Sequence, residues 1–122
     1  MEGGRFVAHG AVSKPHPQGA PLAAFPTLAL SKRGDVFALW ELWPTARSGG
    51  RGLAIAVSRD AGHTFSAPAV VPGSIDPAGG VNGSNQGKLM RRLAVHRDGS
   101  VAVVNSSLKH GQQSRVWLMR GE

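Results

Sequence analysis

The chain has 122 residues, 41% of them apolar, which suffices for one small globular domain with a modest core. Fourteen Lys and Arg against seven Asp and Glu give a formal charge of +7, a balance that favours acidic partners such as anionic glycans, nucleic acid or lipid headgroups. There is no Cys, which excludes a disulfide scaffold and a thiolate metal site, and no apolar run approaches the ~20 residues of a membrane-spanning helix.

The basic residues stand singly or in pairs, as in Lys32-Arg33 and Arg91-Arg92. No aromatic residues alternate with them to stack bases, so the charge reads as a solvated basic surface and nucleic acid is not an expected partner. The opening MEGGRFVAHG has no apolar core of a secretory signal, so the chain as written reads as cytoplasmic; a periplasmic or secreted location stays open for a longer precursor. His9, His16, His63, His96 and His110 show no pair spaced for one strand or helix face, so no metal is expected. Gly79-Gly80-Val81-Asn82-Gly83 does not join a strand to a helix, and Ser84 and Ser106-Ser107 lack a nucleophile-elbow context. No cofactor is implied.

In chain order, residues 1–24 read as a loop-rich segment with one short candidate strand, Arg5–Ala8, and three prolines in SKPHPQGAP that remove ladder donors. Phe25–Leu30 (FPTLAL) reads as a strand, and Ser31–Asp35 as a turn with Gly34 free to take positive φ. Val36–Trp43 (VFALWELW) is nearly all apolar, the pattern of a strand buried on both faces. Pro44–Gly52 is a loop, and Leu53–Val57 (LAIAV) a third strand. Thr64–Val71 reads as a fourth strand, confined to a sheet edge by Pro68. Four such strands in succession make an antiparallel meander over residues 25–72. Residues 73–90, rich in Gly, Asn and Ser, read as a connector.

The pattern then recurs. Leu28–Trp40 (LALSKRGDVFALW) aligns with Leu93–Asn105 (LAVHRDGSVAVVN) at an offset of 65 residues, which also superposes Gly34 on Gly99. Arg115–Met119 takes the place of the third strand, and residues 91–122 form a second, incomplete unit. A repeat of about 40–50 residues with four strands is the mark of a propeller blade. The expected fold is therefore all-β, with about two four-stranded antiparallel blades and an incomplete ring. Pairing of Arg5–Ala8 with the last unit is one way to complete it.

Between the third and fourth strands lies SRDAGHTF, residues Ser58–Phe65. It follows the pattern S-x-D-x-G-x-T-[WF] and so resembles the Asp-box, or BNR repeat, of the sialidase-like β-propellers. The resemblance covers Phe25–Pro72 and, more weakly, Arg91–Glu122. Each residue type suits a turn. Asp60 accepts from nearby backbone N–H groups, Gly62 takes the left-handed conformation, Ser58 and Thr64 bond back to the backbone, and Phe65 folds onto the sheet. The resemblance implies that these five residues are structural and lie away from a catalytic face.

Members of that family cleave glycosides with a Tyr nucleophile activated by a Glu, an Asp acid/base and three Arg on the substrate carboxylate. This chain has no Tyr. Phe25-Pro26 lacks the Arg of the family's Phe-Arg-Ile-Pro-like motif. The loop Pro44–Gly52 carries Arg47 and Arg51 but no carboxylate, and Glu41 lies on the strand. The expected function is a non-catalytic binding, interaction or self-assembling module, with an acidic glycan or protein as ligand or with copies of itself completing a ring. The alternative is a piece of a complete exo-sialidase-type glycoside hydrolase whose catalytic residues lie elsewhere. The candidate ligand-binding residues are Arg47, Arg51 and Trp43. Trp43 sits at a strand end beside a loop, where an indole can stack on a sugar; core packing is the plainer role for it, as for Trp40 and Trp117.

Overall fold

The computed structural model of the protein describes residues 10–13, 22–43, 52–74, 92–107 and 115–121. Short apolar runs separated by Gly and Asp turns give seven strands among the described residues. β1 (Leu22–Leu30), β2 (Val36–Trp43), β3 (Gly52–Ser58) and β4 (Ala69–Val70) form one antiparallel sheet in that order. β5 (Arg92–Val95), β6 (Val101–Ser107) and β7 (Arg115–Gly121) form a second antiparallel sheet. The described residues contain no helix and close no ring. The candidate strand Arg5–Ala8 and the connecting residues 75–91 lie outside them.

Two strands differ from the sequence expectation. β1 starts at Leu22 rather than Phe25, because Leu22, Ala23 and Ala24 pair with Trp43, Leu42 and Glu41 across a ladder that resumes only at Thr27. Phe25 and Pro26 form the irregularity between these halves. Pro26 cannot donate to the ladder, and Phe25 takes a φ of 52° to step around it. The fourth strand shrinks from Thr64–Val71 to Ala69–Val70. The Thr64 N–H is captured by the Asp60 side chain, the Val57 N–H of β3 is taken by the Ser66 hydroxyl at 3.0 Å instead of a backbone carbonyl, and Pro68 has no N–H to give. As expected of a Pro-weakened strand, β4 occupies the sheet edge.

The β1–β2 and β5–β6 hairpins are copies of each other. Ser31 N–H donates to the Asp35 carbonyl and Gly34 N–H to the Ser31 carbonyl, at 3.0 and 3.1 Å. His96, Ser100 and Gly99 repeat this pattern at 2.8 and 3.0 Å. Gly34 and Gly99 have φ of 88° and 90°, the left-handed residue that closes a three-residue hairpin loop. The repeat extends to the third strand, where Leu39 faces Ile55 and Val104 faces Leu118.

Phe37, Ala38, Leu39, Trp40 and Glu41 are all buried, so β2 is covered on both faces. Alternation sends Ala38 and Trp40 to one side, where they pack with Ala54, Ala56, Phe65 and Val12. Leu39 goes to the other, with Leu53, Ile55, Val71 and, from the second sheet, Leu93 and Val103. Burying a side chain such as Leu39 contributes about 1.5–3 kcal/mol, so this second cluster joins the sheets.

Candidate functional site

The motif Ser58–Phe65 builds a turn around one carboxylate. Asp60 accepts the His63 N–H at 3.3 Å on its carbonyl, while Ala61 and Gly62 have φ of 58° and 91°. Two successive positive φ values make a reversed turn that Gly62 adopts freely and Ala61 only with strain. Asp60 Oδ1 accepts from Ser58 Oγ at 2.7 Å and from Thr64 N at 2.8 Å, and Oδ2 accepts from Thr64 Oγ1 at 2.6 Å. Ser58 Oγ in turn accepts from Gly62 N at 2.8 Å. The structure thus brings Ser58, Asp60, Gly62 and Thr64 together. Phe65, half-buried, follows them onto the Ala38–Trp40 face.

Those donors favour the ionised carboxylate. Hydrogen bonds from the Thr64 hydroxyl first, then the Thr64 N–H and the Ser58 hydroxyl, hold Asp60 far below the usual carboxylate range. A carboxyl so reluctant to hold a proton is a poor general acid at neutral pH. His63 is exposed, with Nδ1 2.6 Å from the Asp60 carbonyl. Asp98, in the repeated hairpin, is held low in the same way by Ser100 and His96.

Of the candidate ligand-binding residues, only Trp43 lies among the described residues. Trp43 closes β2, its backbone opposite Leu22 at the start of β1. Arg47 and Arg51 lie outside the described residues.

Three features escaped the sequence reading. Arg59 Nη1 donates to Asp35 Oδ2 at 2.7 Å and its guanidinium lies 5.8 Å from the centre of the Phe37 ring. The Ser74 hydroxyl, fully buried, accepts the Leu53 N–H at 3.0 Å and ties the segment after β4 to β3. A cleft of about 570 Å³ opens on the face of Ala38 and Trp40, between Val12, Pro26, Thr27 and Leu28. The Trp40 indole N–H is buried beside it without a hydrogen-bond acceptor. A charged residue after a turn Gly and a Ser after Pro-Gly are the only sequence signals for the first two. The cleft has none, because it depends on what covers the sheet.

Among the described residues no three His, Asp or Glu side chains cluster as metal ligands, and no helix is long and apolar enough to cross a membrane. No family model, no curated protein and no solved structure matches this chain.

Proposed function

We propose that this chain is a segment of an Asp-box β-propeller that serves as a non-catalytic interaction module. The observation that carries the reading is the Asp60 turn. Both carboxylate oxygens are engaged within the turn by Ser58 and Thr64, at the junction where one antiparallel sheet turns from its third strand to its edge strand. The residues that match the motif therefore do work inside the turn and leave no group to attack or protonate a substrate. Two sheets built on one hairpin repeat and packed face to face through Leu39, Leu53 and Val103 support the blade assignment. The excess of basic residues favours an acidic ligand, an anionic glycan or an acidic protein surface, with Arg47 and Arg51 as its contacts.

The test pairs a fluorogenic sialoside with an array of acidic and neutral oligosaccharides. The reading expects no turnover and retention of acidic glycans that weakens as salt rises, with Arg47→Ala and Arg51→Ala reducing retention. Hydrolysis by the purified chain, or equal binding of neutral and acidic glycans, contradicts it.

A further inference from the structure

The two sheets do not pack as mirror-related partners. In the first sheet, Leu28 pairs with Ala38 on the face turned away from the second sheet. Their counterparts 65 residues later, Leu93 and Val103, form the face turned toward the first sheet. Conversely, Leu39 and Ile55 face the second sheet, while their counterparts Val104 and Leu118 lie on the side of the second sheet turned away from the first. One interface of the form "Leu39 and Ile55 on Leu93 and Val103" is thus already made inside the chain. Its two halves recur at opposite ends, each with a Leu left open: Val12 and Phe65 pack on the Ala38 side of the first sheet but do not cover Leu28. Leu118 is 66% exposed at one end, and Leu28 is 62% exposed at the other.

We infer that a second copy of this chain docks head to tail, with the Val104 and Leu118 face of one copy seated on the Leu28 and Ala38 face of the next. This deepens the interaction-module reading above by naming a partner. The occupant follows from continuity with the interface already formed, because each copy carries one face of each kind and the two kinds fit each other. The receiving end is also shaped for it. The cleft of about 570 Å³ lies over Leu28, Ala38 and Trp40, where the corresponding surface of the second sheet is filled by packing on Leu39 and Leu53. Ala38 stands where the repeat has Val103, which deepens the socket for a Leu. A head-to-tail contact grows into a ring if its rotation closes and into a filament if it does not. The charge of +7 on every copy opposes the contact, so added salt strengthens it.

The experiment is light scattering behind a sizing column on the whole chain and on two variants, Leu118→Glu and Leu28→Glu, alone and mixed. The wild type is expected to run well above its 12.7 kDa monomer mass, more so at higher salt. Each variant alone should fall to the monomer. The equimolar mixture should run at twice the monomer mass and no further, because only one intact pair of faces remains. Melting curves confirm that the variants are folded, and Leu30→Lys with Ala94→Glu provide a second pair on the same two faces. A folded wild type that stays at 12.7 kDa overturns the inference. So does loss of assembly in only one of the two variants, which marks a face pairing with itself, or a mixture that stays monomeric. None of these outcomes touches the glycan-binding test, so this inference and the reading it extends fail separately.

Discussion

Arg59, at the start of the Asp60 turn, reaches back 24 residues to Asp35, with its Nη1 donating to Oδ2 at 2.7 Å. The pair clips the β1–β2 hairpin to the β3–β4 turn, and the guanidinium lies over Phe37 between them. The two partners are unequally placed, since the Arg59 side chain is 67% exposed and that of Asp35 only 11%. Exposed ion pairs are worth about 0–1 kcal/mol, so Arg59→Ala should cost about 1 kcal/mol including the ring contact. Denaturant midpoints at low and high salt check this: the wild type should lose part of the difference as salt rises, and a loss insensitive to salt contradicts the assignment.

Stability should fall on acidification through Asp60 and Asp98. Both carboxyls titrate below their ordinary value of 3.8 in the folded chain, because Thr64 and Ser100 donate to the ionised forms. A depressed folded-state pKa stabilises above the unfolded value and is lost as pH drops below it. The loss should therefore begin near pH 4 and deepen toward the lower folded values. Asp60→Asn should lower stability at neutral pH and flatten its decline below that point. An Asp60→Asn profile parallel to that of the wild type argues against the bonds described.

Ala61 holds a φ of 58°, next to Gly62 at 91°. A side chain in the left-handed region costs about 1 kcal/mol, and Asn-Gly is the favoured pair for this turn. Ala61→Asn and Ala61→Gly should each raise the melting temperature, by about 0.5–1 kcal/mol in stability. Unchanged or lowered melting temperatures for both would show that Ala61 is not strained.

Ser74→Ala should be among the more damaging single-atom changes. The hydroxyl is the partner of the Leu53 N–H, and both residues are buried. An orphaned buried N–H costs about 1–3 kcal/mol, whereas an exposed Ser→Ala change costs close to nothing. Exchange of the Leu53 amide proton, followed by NMR, should speed up in Ser74→Ala, and protection equal to the wild type would refute the bond.

Much of the strand order was readable because it rests on local chemistry. Gly34 and Gly99 mark hairpins wherever they fall, and VFALWELW is apolar enough to need cover on both faces. The Asp60 turn was equally legible, since Ser58, Asp60, Gly62 and Thr64 interact within seven residues. The fourth strand was overestimated because alternation in TFSAPAVV hides the competition for N–H groups that the Asp60 and Ser66 side chains win. The reach of β1 back to Leu22 was missed because a Phe-Pro irregularity reads as a start rather than an interruption.

The sequence by itself determined an all-β chain with a 65-residue hairpin repeat and a carboxylate-centred turn, because turns, periodicity and nearest-neighbour hydrogen bonds act over a few residues. Only the tertiary structure decided which face of each strand meets the other sheet. It placed Leu93 inside and its counterpart Leu28 outside, joined Asp35 to Arg59, and set Ser74 against Leu53. Those outcomes depend on which sheet stacks on which. Stacking is driven by apolar area gathered from distant segments, and no local pattern encodes it.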